Sequence, residues 1–214
     1  MKLKENLSLL MIALLGSSSC FAGINEGIAA ANHHDYPTAI ANLKPFAIAG
    51  NAVAQNQMGN FYRDGLGVAP DYAEALSWYY SAATQGEPSA QFNIGNMYRL
   101  GLGVHKDFDA AVSWYRKSAD QGNMYAQTSL GSMYLDGFGV TRNPKAAFTW
   151  YQKAADQGFA PAQFSLGKMY EEGLAVKKDG GKAVRLYVKA AAQGDTDADA
   201  SIRSIVYRHD HSDK

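Results

Sequence analysis

Residues 90–122 read AQFNIGNMYRLGLGVHKDFDAAVSWYRKSADQG, and this text returns thirty-six positions away in both directions. Gly59, Gly95, Gly131 and Gly167 occupy one place in four successive copies, as do Tyr62, Tyr98, Tyr134 and Tyr170. Ala75, Ala111, Ala147 and Ala183 align next, followed by Tyr79, Tyr115, Tyr151 and Tyr187, and Gly86, Gly122, Gly158 and Gly194 close the copies. Self-similarity at a fixed period of about 20–50 residues is the signature of a solenoid.

Each copy spells two helices. Ala90, Ile94, Met97 and Tyr98 fall at i, i+4, i+7 and i+8, one apolar stripe of a first helix. Gly95 sits beside that stripe. A glycine there costs about 1 kcal/mol relative to alanine, so its return in every copy implies that two helix backbones approach closely. Gly101-Leu-Gly-Val104 ends the helix, with Gly101 taking the left-handed conformation that only glycine adopts cheaply. Gly65–Val68 and Gly137–Val140 repeat the signal; the fourth copy has Gly173-Leu-Ala-Val176, and losing its second glycine leaves room for a different turn. The second helix starts at Asp71, Asp107, Asn143 and Asp179, all good N-cap residues. Asp71 with Glu74 fits a capping box, and Pro144 suits the first helical position. Ala75, Trp78, Tyr79 and Ala82 form the inward stripe of that helix, small residues facing large ones. One unit alone cannot cover such a surface; stacked units can.

These residues resemble the Sel-1-like repeat family, a relative of the tetratricopeptide repeat with a slightly longer helix-turn-helix unit. The third copy carries the pattern through Ala126, Leu130, Gly131, Tyr134, Gly137, Gly139 and Val140. It continues through Asn143, Ala147, Trp150, Tyr151, Ala154, Ala155 and Gly158, and the match runs over about residues 52–194. The resemblance implies an all-α, right-handed α-α superhelix, a solenoid of about four 36-residue repeats with helical caps. It implies an adaptor that holds other proteins, with no shared catalytic residues and no cofactor. The fourth copy departs at Ala175, at Leu186 in the tryptophan place and at Gly180-Gly181, so weaker packing is expected there.

Around the repeats the chain divides as follows. Residues 1–22 read as a signal peptide: Lys2 and Lys4 form the positive region, and Leu7–Leu15 an apolar run shorter than the ~20 residues a membrane span needs. Cys20 and Ala22 are the small residues before a cleavage site after Ala22. The competing reading lipidates Cys20, which Ser18 and Ser19 suit and Ser17 does not. Cleavage leaves no cysteine and no transmembrane segment, with 18 basic and 19 acidic residues once Lys2, Lys4 and Glu5 leave the 20 and 20 of the full chain. With the family resemblance, this points to a bacterial periplasm. Residues 23–51 read as a degenerate capping repeat, in which Asp35, Ala39, Leu43, Ala47 and Gly50 keep the period and Asn42 replaces the tryptophan. Repeats follow at 52–87, 88–123, 124–159 and 160–195, then a capping helix at 196–208 built on Ala198, Ile202, Ile205 and Val206, and a frayed tail at 209–214. The His33-His34 and His209/His211 pairs read as solvated residues, not metal ligands.

A partner site follows from the helical wheel. With Met58 inward, 100° per residue turns positions 53, 56, 60 and 63 to the opposite side. Those places vary between copies while the inward stripe barely does, as a binding face should. The candidates are Asn56, Asn60, Arg63, Phe92, Asn96, Arg99, Tyr125, Thr128, Ser132, Phe164 and Lys168, converging on the concave side that first helices line in such solenoids. Phe92, Tyr125 and Phe164 read either as exposed anchors or as ordinary packing between repeats. Trp78, Trp114 and Trp150 read as core residues and not as sugar-stacking rings.

The expected function is therefore an exported, non-enzymatic scaffold for a protein or peptide partner. The alternative is a cell-envelope hydrolase or glycan-binding protein engaging a peptidoglycan fragment. Catalytic motifs are missing: there is no H-E-x-x-H, G-x-S-x-G or P-loop, and Ser165-Leu-Gly-Lys168 fits only the bare S-x-x-K spacing in mid-helix. Balanced charge argues against nucleic acid, which favours basic stripes.

Overall fold

Glycines in the left-handed conformation turn the chain back at the end of each first helix. In the computed structural model residues 18–212 are described, with side chains from 22 to 205. Most of the expected leader, the side chain of Cys20, the last two residues and the side chains from Val206 onward, His209 and His211 included, lie outside them. The helices are α1 (Ser18–Asn32), α2 (Tyr36–Ile48), α3 (Ala52–Asp64), α4 (Tyr72–Ala83), α5 (Pro88–Leu100) and α6 (Phe108–Asp120). They continue as α7 (Met124–Asp136), α8 (Pro144–Asp156), α9 (Ala160–Glu172), α10 (Gly180–Ala191) and α11 (Thr196–Ser212), and the described residues contain no strand. The described residues form two compact units, divided between Ala90 and Gln91. Within each, a helix packs on the one before it and the one after it, the arrangement of an all-α helical-repeat fold of the solenoid class.

Both helix ends behave as their residues dictate. Gly65, Gly137 and Gly173 stand at φ 67°, 78° and 74° just after their helices. The Oδ1 atoms of Asp107, Asn143 and Asp179 accept from the N–H groups of Ala110, Ala146 and Lys182 at 2.9, 3.1 and 2.8 Å. Asp71 accepts from Ala73 and Glu74, but the return half of the capping box does not form. The Asp71 N–H donates instead to the Tyr62 carbonyl at 2.8 Å, and Glu74 accepts from the Trp78 indole at 2.9 Å. The same backbone bond ties Asp107, Asn143 and Asp179 to the carbonyls of Tyr98, Tyr134 and Tyr170, so it closes every repeat. The fourth turn does not change course: Ala175 adopts φ 66°, matching Gly139 at 65°.

The mid-helix glycines do permit a close approach, of a tyrosine ring at all four and, at Gly95, of the partner helix backbone as well, where a Cβ would lie 3.3 Å from the Ala111 carbonyl oxygen. A Cβ on Gly59, Gly95, Gly131 or Gly167 would lie 2.5, 2.6, 2.8 or 2.6 Å from the ring of Tyr79, Tyr115, Tyr151 or Tyr187. These tyrosines are buried. The capping hairpin repeats the device with Leu43 against Gly27. It does so with a three-residue connection, 33–35, in place of the seven residues 65–71. His34 takes the left-handed turn at φ 62°, and its Nδ1 meets the Tyr36 hydroxyl at 2.8 Å.

Trp150 is buried, while Trp78 and Trp114 are half-buried at the edge of the stripe. The ammonium groups of Lys117 and Lys153 lie over the rings of Trp114 and Trp150 at 4.0 and 4.1 Å, a contact worth about 0.5–1 kcal/mol at an exposed site.

A glutamine relay adds a polar clamp. In the first unit the Gln55 amide donates to the Ala47 carbonyl at 3.1 Å and accepts from Gln85 at 2.8 Å. In the second, Gln127 donates to Ala119 and accepts from Gln157, and Gln163 donates to Ala155 and accepts from Gln193. Each buried amide thus adds a second hydrogen bond to a last-turn carbonyl of the preceding second helix, which already accepts from the N–H of Gly50, Gly122 or Gly158. Beyond the fourth repeat, Asp195 caps α11, and Ala198, Ile202 and Ile205 cover Ala183, Tyr187 and Ala190. The helix runs to Ser212, past the expected end at 208.

Candidate partner-binding face

The variable residues of the first helices divide into three groups once their contacts are known. In the first unit Asn56 is buried at 7 % exposure, so its amide belongs to the packing and not to an outward face. The wheel fails here because α3 is covered by α2 as well as by α4. Asn60 is half-buried; its Oδ1 accepts from the Tyr79 hydroxyl at 2.8 Å and its Nδ2 donates to Gln57 at 3.0 Å. Arg63 holds Asp64 through Nε and Nη2 at 2.7 and 2.6 Å. Asn60 and Arg63 line a hollow of about 330 Å³ together with Tyr36, Gln57 and Phe61.

The second unit shows the same internal duty. Asn96 accepts from the Tyr115 hydroxyl at 2.7 Å, to which Arg99 also donates at 3.1 Å. Ser132 meets the Tyr151 hydroxyl at 2.9 Å. Where the fourth repeat places Lys168, exposed, the Tyr187 hydroxyl turns to Glu171 at 2.7 Å. Burial pushes the phenols of Tyr79, Tyr115 and Tyr151 above their ordinary pKa. They therefore stay neutral, which suits hydroxyls that donate to Asn60 and Asn96.

The aromatic candidates are not equivalent either. Phe92 and Phe164 are half-buried and lie against Tyr115 and Tyr187, centroids 5.7 and 5.6 Å apart, so both serve the packing of their own hairpins. Tyr125 is different: 49 % exposed, it stands between Phe92 at 5.9 Å and Phe159 at 4.8 Å. Thr128, half-buried, donates back to the Met124 carbonyl at 2.8 Å. Lys168 reaches over the Phe164 ring at 6.0 Å. The open part of the face thus centres on Tyr125, with Lys168 as its exposed cation.

Phe159 was invisible to the helical wheel because it precedes α9. It occupies the N-cap place where Asn51 and Asn123 accept from Ala54 and Ala126, and it makes no such bond. Giving up a cap costs about 1 kcal/mol; the ring obtains its contact with Tyr125 instead. A phenylalanine at a capping position was the signal available in the sequence.

The arrangement offers contact surface and hydrogen bonds. Ser165 donates to the Pro161 carbonyl at 2.8 Å within its own helix. Among the described residues, no group of three or more His, Cys, Asp or Glu could hold a metal ion, and no helix is long and apolar enough to cross a membrane.

The chain matches the family model described as Sel1 repeat over residues 52–87, 88–123, 125–159 and 160–195. No curated protein matches. A solved protective antigen present in uropathogenic Escherichia coli strains, displaying an SLR fold, is similar at a TM-score of 0.77 and 34 % identity, over 89 % of this chain and 42 % of that one. A Sel1 repeat protein from Oxalobacter formigenes aligns at a TM-score of 0.74 and 37 % identity, over 84 % and 74 % of the two chains. An immunity protein from Pseudomonas aeruginosa follows at 0.60 and 25 %, over 85 % and 69 %. The chain therefore spans less than half the length of the Escherichia coli antigen.

Proposed function

The chain belongs to the Sel1 repeat family, and from that membership we propose that it is an exported, non-enzymatic scaffold holding a protein or peptide partner on the first-helix face of its second unit. Sel1 repeat proteins are in general protein-interaction scaffolds. One observation carries the assignment of the face: Tyr125 stays half in solvent with its ring braced by Phe92 and Phe159. A braced aromatic loses little rotamer freedom on binding, and such rings supply most of the energy at interfaces. Lys168 adds a charge for a partner carboxylate. The leader places the scaffold in the periplasm after cleavage behind Ala22, with lipidation of Cys20 as the competing form of export.

The test uses residues 23–214 as bait for envelope proteins, with chemical crosslinking. Tyr125→Ser combined with Lys168→Glu should reduce partner capture by about 10- to 30-fold, the loss of one interfacial anchor. Far-ultraviolet circular dichroism should stay unchanged. Equal capture by bait and variant rejects this face.

A further inference from the structure

We propose that the fourth repeat carries a second binding site, on its second helix, for an acidic peptide segment that inserts an aromatic side chain. The site lies where the repeat pattern breaks. Leu186 stands in the place of Trp78, Trp114 and Trp150, and beside it opens a hollow of about 220 Å³ walled by Leu166, Tyr170 and Leu186.

The third repeat shows what normally closes this space. There Trp150 packs against Leu130 and Tyr134, the counterparts of Leu166 and Tyr170. Arg116 donates to the Tyr134 hydroxyl and lies over its ring at 5.6 Å. In the fourth repeat neither of these two covers is present, and the Tyr170 ring is met instead by Phe148, edge-on at 5.6 Å, and by Lys182. Leucine replaces the indole, and Gln152, at the place of Arg116, turns to Asp156 at 2.7 Å.

The charge around the hollow is one-sided. Lys182, Arg185 and Lys189 line it, all exposed, and no carboxylate does. Lys189 is the counterpart of Lys117 and Lys153, which spend their charge over the tryptophan rings; with Leu186 beneath it, Lys189 has no ring to cover. Lys182 lies over the Tyr170 ring at 5.1 Å and keeps only a 3.9 Å contact with Asp179. Arg185 and Lys189 have no ion-pair partner among the described residues. Lys177 and Lys178 line an adjoining hollow with Tyr170, Lys182 and Asp179, where three cations face one carboxylate.

The occupant follows from shape and spacing. The hollow stands where the other repeats keep an indole, so an aromatic side chain is its natural filling. At 1.5 Å per helical residue, Lys182 and Lys189 stand about 10 Å apart along the axis, the length of about three residues of extended chain. Side chains two residues apart share one face of an extended chain, so in Glu-x-Trp-x-Glu both carboxylates, about 13 Å apart, face the flexible stems of the two lysines while the ring enters between them.

The probe is a fluorescein-labelled hexapeptide with one tryptophan between two glutamates, followed by fluorescence anisotropy with the full mature chain. Saturable binding is expected. It should weaken at least tenfold with Leu186→Trp, with Arg185→Glu plus Lys189→Glu, and with a peptide whose tryptophan is glycine. Tyr125→Ser should leave it unchanged, which separates this site from the first-helix face. Leu186→Trp restores the residue of the other repeats, so its melting temperature checks that it folds, and the glycine peptide needs no change in the protein. The proposal is overturned by absence of saturable binding, by equal affinity for the glycine peptide, or by an anionic glycan without aromatic groups competing as well as the peptide.

Discussion

Tyr115→Ala should lower the free energy of unfolding by about 3–5 kcal/mol, the range for truncating a buried aromatic. The ring is fully buried over Gly95, where a Cβ would come within 2.6 Å of it, and it lies against Phe92 at 5.7 Å. Gly95 has no side chain with which to fill the resulting cavity, and Asn96 loses the hydroxyl it accepts from. Tyr115→Phe separates the two contributions, since it removes only the hydrogen bond and should cost about 1 kcal/mol. Urea unfolding followed by circular dichroism measures both. A loss below 1 kcal/mol for the alanine variant contradicts the role given to the ring.

Gly139→Ala and Ala175→Gly occupy one place in neighbouring repeats and should act with opposite signs. Gly139 stands at φ 65°, and a Cβ there would lie 2.3 Å from the Phe108 carbonyl oxygen. Backbone cannot swing away as a side chain can. The left-handed conformation costs an alanine about 1–2 kcal/mol and overpacking adds about 1–3 kcal/mol, so a loss of about 3 kcal/mol is expected. Ala175 already bears the first cost at φ 66°. Glycine relieves it, offset by about 0.5–1 kcal/mol of extra chain entropy, and a net gain of about 0.5–1 kcal/mol should appear as a higher urea midpoint. A destabilised Ala175→Gly variant, or an unaffected Gly139→Ala variant, contradicts this account of the turn.

Local rules made most of the repeat legible. Turn glycines and Asp or Asn caps act through their own backbone, so reading them needs no knowledge of neighbours. The mid-helix glycines signalled close approach, but not that Tyr79 and its equivalents fill the gap, because a ring and a backbone leave the same mark in one sequence. Gln55, Gln91, Gln127 and Gln163 keep the 36-residue period, as do Gln85, Gln121, Gln157 and Gln193. They escaped notice because a polar residue on a helix reads as solvated until its carbonyl partner is known. Asn56, Asn60, Asn96 and Ser132 misled the wheel for a related reason. A helix within a row is covered from two sides, which widens the buried arc and draws its flanking polar residues into service for buried hydroxyls. Of the named candidates Tyr125 and Lys168 stayed exposed, as did Val53 at the first of those outward positions.

Site-specific photocrosslinking tests the scaffold reading most directly. A benzophenone amino acid replacing Tyr125, compared with one replacing the exposed Ser113 of α6, is irradiated in intact cells. The account predicts a discrete protein adduct from position 125 and none from position 113. No adduct at 125, or the same adducts from both positions, would contradict it.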